Sequence, residues 1–410
     1  MDADDAMEPA MTPPAQAAAA PGFRWLALAA LVFARTGIGP QFIAVAALMP
    51  MVRTDLALSY TQIGLLLGLF MVTGLFLAVP SAMIAGRLGD RRTLFLGLAA
   101  MAGGAVAASS ADGFALLLAG RILGGMGAVF TTVTAAKILA DWFHGREIAT
   151  AMGYLGLSWS LGIAIGLSVL PALALMAGWR GAFLATAAMP VAAALLALAL
   201  PRLGRPAGPE AGASGRLWSI TAREFWAVLA GGLAWPLMSS GGYVVFSGYA
   251  PKLLADGGMG TAEAAAVISV LSWLFLVTIP LGGHMADRWG QGDLQFWLGC
   301  LISAAAIALV PVTGPVLLWV VLAAAMGVTV GPIMALPGQI LSPASRSTGL
   351  GVFYAVYYGG TVALPALAGW LIDATGGAKW VVWLAAACLV AAPLPLALCR
   401  HLQRRWGLGR

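Results

Sequence analysis

The sequence predicts an all-α polytopic membrane protein, with twelve transmembrane helices arranged as two pseudo-symmetric six-helix bundles. Three observations predict it. Hydrophobic residues make up 61% of the 410 and charged residues 9%, with a mean hydropathy of +0.92; soluble domains carry about 25% charged residues. The apolar residues fall into twelve runs, each near the roughly 20 residues that cross a bilayer as a helix. A charged turn, Gly86-Arg87-Leu88-Gly89-Asp90-Arg91-Arg92, returns in weaker form as Gly283-His284-Met285-Ala286-Asp287-Arg288, 197 residues later. That spacing is close to half the chain and points to two related halves.

Taken in order, residues 1–22 are Ala- and Pro-rich with Asp2, Asp4, Asp5 and Glu8. They lack the basic start and cleavage site of a signal peptide and are expected to form a disordered tail. A first bundle is expected over 23–201, with segments at 24–50, 61–85, 93–111, 114–138, 148–176 and 179–201. The Pro-, Gly- and Arg-containing stretch 202–223 reads as a connector. A second bundle over 224–400 carries segments at 224–250, 262–285, 294–310, 315–341, 347–372 and 379–399, and a basic tail follows at 401–410.

Orientation follows from the basic residues. With both ends on the cytoplasmic side, 15 Lys and Arg residues face the cytoplasm and 4 face outward, while Arg35, Arg121 and Lys137 fall inside segments. This bias accounts for the net charge of +6 and pI near 9.5, so no nucleic-acid partner is expected. Cys300, Cys388 and Cys399 all lie in apolar runs without a CxxC or Cys/His cluster, so neither a metal nor a disulfide framework is expected. Gly and Pro concentrate in segments 1, 4, 7 and 10, as Gly37, Gly39 and Pro40, Gly120, Gly124 and Gly127, Pro236, Gly241 and Gly242, and Gly331, Pro332, Pro337 and Gly338. Such residues allow close approach and bending of membrane helices, which fits helices that must rock.

Twelve segments in two sixes, a central linker and Gly-x-x-x-Asp-Arg after segments 2 and 8 together resemble the major facilitator superfamily over roughly 23–400. Gly86, Leu88, Asp90 and Arg91 match its loop between segments 2 and 3, after which Arg92-Thr93-Leu94 follows as if two residues were missing. The second copy keeps Gly283, Asp287, Arg288 and Gly290 but has Gln291 where a basic residue is usual. Arg121-Ile-Leu-Gly-Gly-Met-Gly127 is similar to the family pattern in segment 4. Asp141-Trp142-Phe143 to Glu147 looks like its segment 4–5 loop, and Gly178-Trp179-Arg180 like its turn into segment 6.

The resemblance implies two bundles around a central cavity lined by segments 1, 4, 7 and 10, with substrate near the midplane and alternating access. It also implies a gating latch at Gly86, Asp90, Arg91, Asp287, Arg288 and Glu147. Asp90 would face the start of segment 11, and Arg91 would pair with an acid such as Glu147. The alternative is that these charges only anchor the loop at the interface.

Ionisable groups within a membrane are costly and usually functional. All sixteen acids fall in tails, loops or segment ends, whereas Arg35 lies mid-segment 1 and Arg121 in the outer half of segment 4. A buried cation without an acid carries a large desolvation cost, and a bound anion would relieve it through paired hydrogen bonds. For both arginines, pairing with backbone carbonyls stays open as the other reading. Lys137, 16 residues after Arg121 and so about 160° round the helix, is expected to snorkel to the interface. Trp235, Ser239, Ser240 and Tyr243 in segment 7, Tyr154, Ser158 and Trp159 in segment 5, and Tyr354, Tyr357 and Tyr358 in segment 11 could complete a polar site.

The expected function is transport of a small, anionic solute, an organic acid or small inorganic anion, across a bacterial inner membrane. Arg in segment 1 is similar to the cyanate-porter and anion:cation-symporter branches of the superfamily. The chain is expected to act as a monomer, without a cofactor; a coupling proton or counter-substrate stays open. The alternative is a proton-coupled multidrug or metabolite exporter. Against it stand the missing membrane carboxylate and the segment 5 run Gly162-Ile-Ala-Ile-Gly166-Leu-Ser-Val, which lacks the proline of exporter relatives. No GxSxG, HExxH, GxxxxGK[ST] or paired carboxylates occur, so an enzyme is not expected.

Overall fold

The computed structural model describes residues 21–143, 147–200, 218–247, 261–313, 316–375 and 379–408. The expected N-terminal tail, most of the connector 202–223 and Lys252 lie outside them. Among the described residues the chain is helical, with no strand.

The first half holds α1 (Pro21–Thr36, continuing as Ile38–Ala47), α2 (Tyr60–Leu88), α3 (Asp90–Ser109) and α4 (Phe114–Trp142). The continuous stretch Ile148–Ala185 contains α5 and the start of α6, divided at Gly178 with φ of 70°; α6 continues as Ala188–Ala199. The second half holds α7 (Ala222–Pro236, then a π-helical turn Leu237–Val244), α8 (Thr261–Trp289) and α9 (Gly292–Thr313). It ends with α10 (Val316–Gly327 and Val330–Ile340), α11 (Arg346–Thr375) and α12 (Lys379–Ala391 and Pro393–Trp406). Ten of the described helices are long and apolar enough to cross a membrane, and the twelve-span reading separates α5 from α6 at the Gly178 turn.

Local sequence sets these ends. Ser59 and Gln62 form a reciprocal capping box that starts α2, and Thr221 and Glu224 do the same for α7; each box satisfies backbone donors that a helix start leaves open. Gly89, at φ 84°, makes the turn from α2 into α3. Gly86 has open space where a side chain would project and no positive φ, so the matched loop glycine serves no steric purpose in this arrangement.

Breaks in α6 and α10 free backbone carbonyls inside the membrane, where each needs a partner. Thr186 O receives Gln41 Nε2 at 3.4 Å, and Val328 O receives Gln295 Nε2 at 2.6 Å. α1, α7 and α10 are all interrupted, as their Gly and Pro content suggests. α4 is not: Gly120 and Gly127 pack against α3 and Gly125 against α2 without breaking the helix.

The two halves meet along two seams, α2 on α11 and α5 on α8 and α10. Tyr358 of α11 lies flat over Gly74 of α2, where any Cβ would overlap its ring. Further along the same seam Gly351 sits against Ala78, Val79 and Ala82. The seams close on the face that carries both ends of the described chain and the Asp90 and Asp287 turns. Large apolar side chains such as Phe76, Leu175, Met176, Trp273 and Trp370 are exposed on the outside, as a lipid-facing surface requires.

Candidate functional site

α1 passes through the centre of the molecule and carries Arg35, only 6% exposed, just before its break at Gly37. Its Nη1 donates to Leu155 O and, at 2.9 Å, to Ser158 Oγ, both on α5. Ser158 Oγ in turn donates to Leu155 O. Arg35 Nε is buried with no acceptor. Among the described residues no carboxylate pairs with Arg35.

Arg35 lines a small central cavity of about 20 Å³, room for about one water molecule. Thr132 of α4 and Tyr357 and Tyr358 of α11 supply hydroxyls, and Trp159 of α5 carries an indole N–H. The apolar wall comes from Ile38, Phe70, Met71, Ala128, Val129 and Trp159. Trp235 of α7 stacks behind Tyr357, with ring centroids 4.0 Å apart and planes 20° apart. The cavity therefore lies between the halves, with the arginine from one and the tyrosines from the other.

Other expected site residues fall elsewhere. Arg121 is 3% exposed, but its guanidinium is spent on the backbone. It donates to Leu66 O at 3.1 Å, to Gln41 O and to Phe42 O at 3.1 Å, with Phe70 beneath it at 4.4 Å. Of the two readings left open for Arg121, the geometry is that of carbonyl pairing. Tyr154 is 39% exposed and shares its helix face with Val169, Ala172 and Met176, all outward. Tyr243 packs edge-on against Phe275 of α8, and Ser239 Oγ donates to Trp235 O within its own helix. Of the residues that sequence suggested for the site, Arg35, Trp159, Tyr357 and Tyr358 line the cavity and Trp235 backs it. Thr132 was missed; the run Thr131-Thr132-Val133-Thr134, polar within an apolar helix, was its only signal.

The closed face carries a charge network that differs from the expected latch. Asp90, 2% exposed, receives Lys137 Nζ at 2.8 and 2.9 Å, and Lys137 also reaches Asp141 at 3.3 Å. Asp141 then receives Arg346 Nη1, at the start of α11, at 2.5 Å. Asp90 is thus linked to α11 through Lys137, Asp141 and Arg346. Lys137, expected to snorkel, is instead held by two carboxylates, Asp90 and Asp141.

Arg91, expected to pair with an acid, donates to Ala197 O and Leu198 O at the end of α6. Glu147, the acid named for it, pairs with Arg24 at 2.6 Å. Asp287 crosses between the halves: it accepts the backbone N–H of Ala149 at 3.1 Å and of Thr150 at 2.6 Å. Those N–H groups are in the first turn of α5, where donors lack intrahelical partners and the helix dipole favours a carboxylate. Arg288 is exposed at the end of α8. On the opposite face Asp55 accepts Arg180 at 2.6 Å and Trp179 Nε1 at 3.0 Å. These bonds, Arg180 first, hold its carboxyl below the usual carboxylate range.

Among the described residues no cluster of His, Cys, Asp or Glu could hold a metal. Two six-helix halves joined by seams and enclosing a polar centre at mid-membrane define a membrane transporter. The chain belongs to the major facilitator superfamily, whose family model matches residues 25–336 and 237–405.

Among curated relatives, a probable L-galactonate transporter of Escherichia coli is 29% identical over 32% of this chain, and a hexuronate transporter of Bacillus subtilis 30% identical over 33%. The chain covers only 29% and 32% of those relatives' lengths. A chloramphenicol efflux pump of Mycobacterium tuberculosis is 27% identical over 73% of this chain and 74% of that one. Among solved structures, a double-tryptophan variant of XylE superposes with a TM-score of 0.77, at 14% identity over 94% of this chain and 99% of that one. At that identity the likeness concerns the fold.

Proposed function

We propose that this superfamily transporter moves a small anionic solute, an organic acid or a small inorganic anion, across a bacterial inner membrane, with both chain ends in the cytoplasm. The observation that carries the reading is Arg35: buried, at the middle of the membrane, lining the central cavity, and without a carboxylate partner among the described residues. A cation in that position is costly, and an anion docked on its unsatisfied edge lowers the cost. The acid transporters among the relatives support the same class.

In this reading the protein is closed on the cytoplasmic side and poised to accept solute from the other. Asp287 on the start of α5, the Asp90–Lys137–Asp141–Arg346 chain and the α2–α11 seam would hold the closed gate. Opening it requires that these contacts be replaced by contacts on the opposite face, so that the halves rock about the cavity. Arg121 serves the fold by tying α4 to α1 and α2.

The efflux relative favours a second reading, export of a neutral or cationic compound. Uptake and thermal-shift measurements on the wild type and Arg35→Ala separate the two. An anion transporter loses transport and anion-dependent stabilisation in Arg35→Ala while remaining folded. Stabilisation by cationic compounds alone, unchanged in Arg35→Ala, would reject the anion reading in favour of export.

A further inference from the structure

We propose that the anion is a monocarboxylate with a flat, apolar body, and not a polyhydroxylated acid. This deepens the anion reading and rests on it.

The inference starts from what surrounds Arg35. One edge of its guanidinium is fixed to α5, and its Nε remains buried without an acceptor. Its Nε hydrogen-bonding capacity is therefore unused. Beyond the guanidinium the walls are aromatic on both sides. In the first half, Trp159, Phe42 and Phe70 form a chain of ring contacts, with centroids 5.1 Å apart for Phe42 and Trp159 and 5.9 Å for Phe42 and Phe70. In the second half, Trp235, Tyr354, Tyr357 and Tyr358 form another. Trp159 and Phe70 line the cavity from one side, Tyr357 and Tyr358 from the other. A planar apolar body entering when the halves part meets ring faces and edges, a geometry in which aromatic groups attract one another.

The same walls are poor in groups that could replace water around several hydroxyls. A dehydrated hydroxyl needs hydrogen-bond partners, and a site lacking them rejects it. Besides Arg35, the residues lining the cavity offer the hydroxyls of Thr132, Tyr357 and Tyr358 and the indole N–H of Trp159. The 410-residue sequence contains no asparagine. Gln41 is occupied by Met101 O and Thr186 O, and Gln295 by Gly282 O and Val328 O. No carboxamide and no carboxylate lines the cavity. A sugar acid, with hydroxyls along its whole length, would leave most of them unpaired. The pocket thus parts company with the galactonate and hexuronate named for two relatives that match only a third of this chain.

The test is a binding series on the purified full-length protein, read by thermal shift and by competition. The probes are benzoate, cyclohexanecarboxylate, glucuronate, tartrate, benzamide and tetraphenylphosphonium. Benzoate is expected to bind at least about tenfold more tightly than glucuronate or tartrate, and cyclohexanecarboxylate to fall between them. Benzamide, with the same ring and no charge, is expected to lose about tenfold or more.

Binding of glucuronate or tartrate in preference to benzoate would overturn this proposal and leave the anion reading standing. So would failure of benzoate to bind at about 10 mM, where even a weak specific site is occupied. Equal affinity for benzamide and benzoate, or a preference for tetraphenylphosphonium, would instead remove the anion reading itself. Because the comparison is made on the unaltered chain, misfolding of a variant cannot imitate any of these results.

Discussion

Replacing Asp287 should open the closed face. Its carboxylate accepts two backbone N–H groups of α5, at 3.1 and 2.6 Å, and these cross from one half to the other. A hydrogen bond to a charged group contributes about 1.5–3 kcal/mol when water is excluded, and a carboxylate at a helix start adds about 0.3–1 kcal/mol when exposed. Asp287 is half-buried, so water shares both bonds even in the closed form, and the bias toward that form is about 2–3 kcal/mol, below the roughly 3–7 kcal/mol that these contributions reach together for fully buried bonds. Asp287→Asn keeps one acceptor and loses the charge, so it should forfeit about half, or about 1.4 kcal/mol, a tenfold population shift. Asp287→Ala should forfeit all of it, a shift of about 30- to 150-fold. The reporter is Ser347→Cys in a background with the three native cysteines replaced. Ser347 is buried at the seam, donating to Ala82 O of the other half, so a maleimide can reach a cysteine there only when the face opens. Labelling should quicken in the order Asp287, Asn, Ala, by these factors. Equal rates for all three, in protein that unfolds at the same temperature, would refute the latch.

Three further outcomes follow from the same geometry. Arg121→Ala removes three hydrogen bonds that a buried guanidinium donates to carbonyls of α1 and α2; at about 1.5–3 kcal/mol for a bond from a charged donor, it should lower the melting temperature sharply or abolish folded protein, whereas Arg35→Ala should melt near the wild type. Lys137→Met removes the cation that Asp90 and Asp141 share, while Asp141 keeps Arg346; it should lower the melting temperature, and adding Asp90→Asn should restore part of the loss, whereas a double-mutant cycle with coupling near zero would count against the network. Asp55 has a folded pKa below its unfolded value because Arg180 and Trp179 donate to it, so its contribution is complete above about pH 4 and disappears as pH falls through the folded value. The melting-temperature difference between the wild type and Asp55→Asn should therefore stay constant at neutral and mildly acid pH and shrink only below about pH 4.

The fold was legible because each of its signals is one-dimensional. Apolar run length, basic-residue bias and the repeated turn need no knowledge of which helix faces which. The break at Gly178 was legible for the same reason, as a Gly-Trp-Arg punctuation between two apolar runs. The site was half legible. That buried cations lacked acids could be counted from sequence, but which one was free could not. Arg35 and Arg121 have the same residue type and similar apolar surroundings. They differ only in what sits beside them: three carbonyls of α1 and α2 around Arg121, one carbonyl and a hydroxyl around Arg35. Carbonyl positions depend on how helices cross, which the sequence does not state. Lys137 failed for a related reason. Its distance from Arg121 round the helix was readable, whereas the presence of Asp90 and Arg346 beside it depends on packing between α3, α4 and α11. Tyr154 failed because aromatic residues mark both lipid faces and cavities.

The central cavity and the closed face share two helices, and this determines how one must act on the other. α5 carries Leu155 and Ser158, which hold Arg35, and its first turn is the part that Asp287 grips. α11 carries Tyr357 and Tyr358 at the cavity and Arg346 and Ser347 at the closed face. A ligand shifts a conformational equilibrium only by its differential affinity for the two forms. If the anion binds the form closed on the cytoplasmic side, Asp287→Asn must weaken apparent affinity in proportion to the closed fraction it removes. That factor stays near one while the closed form dominates and grows toward tenfold once the open form is the majority. Isothermal titration with benzoate, paired with the Ser347→Cys labelling rate on each Asp287 variant, measures both quantities in one series. Affinity that falls in step with the closed fraction is the expected result. A loss of affinity without faster labelling would mean that Asp287 acts on the cavity directly, by moving α5, and that the latch and the site are one element.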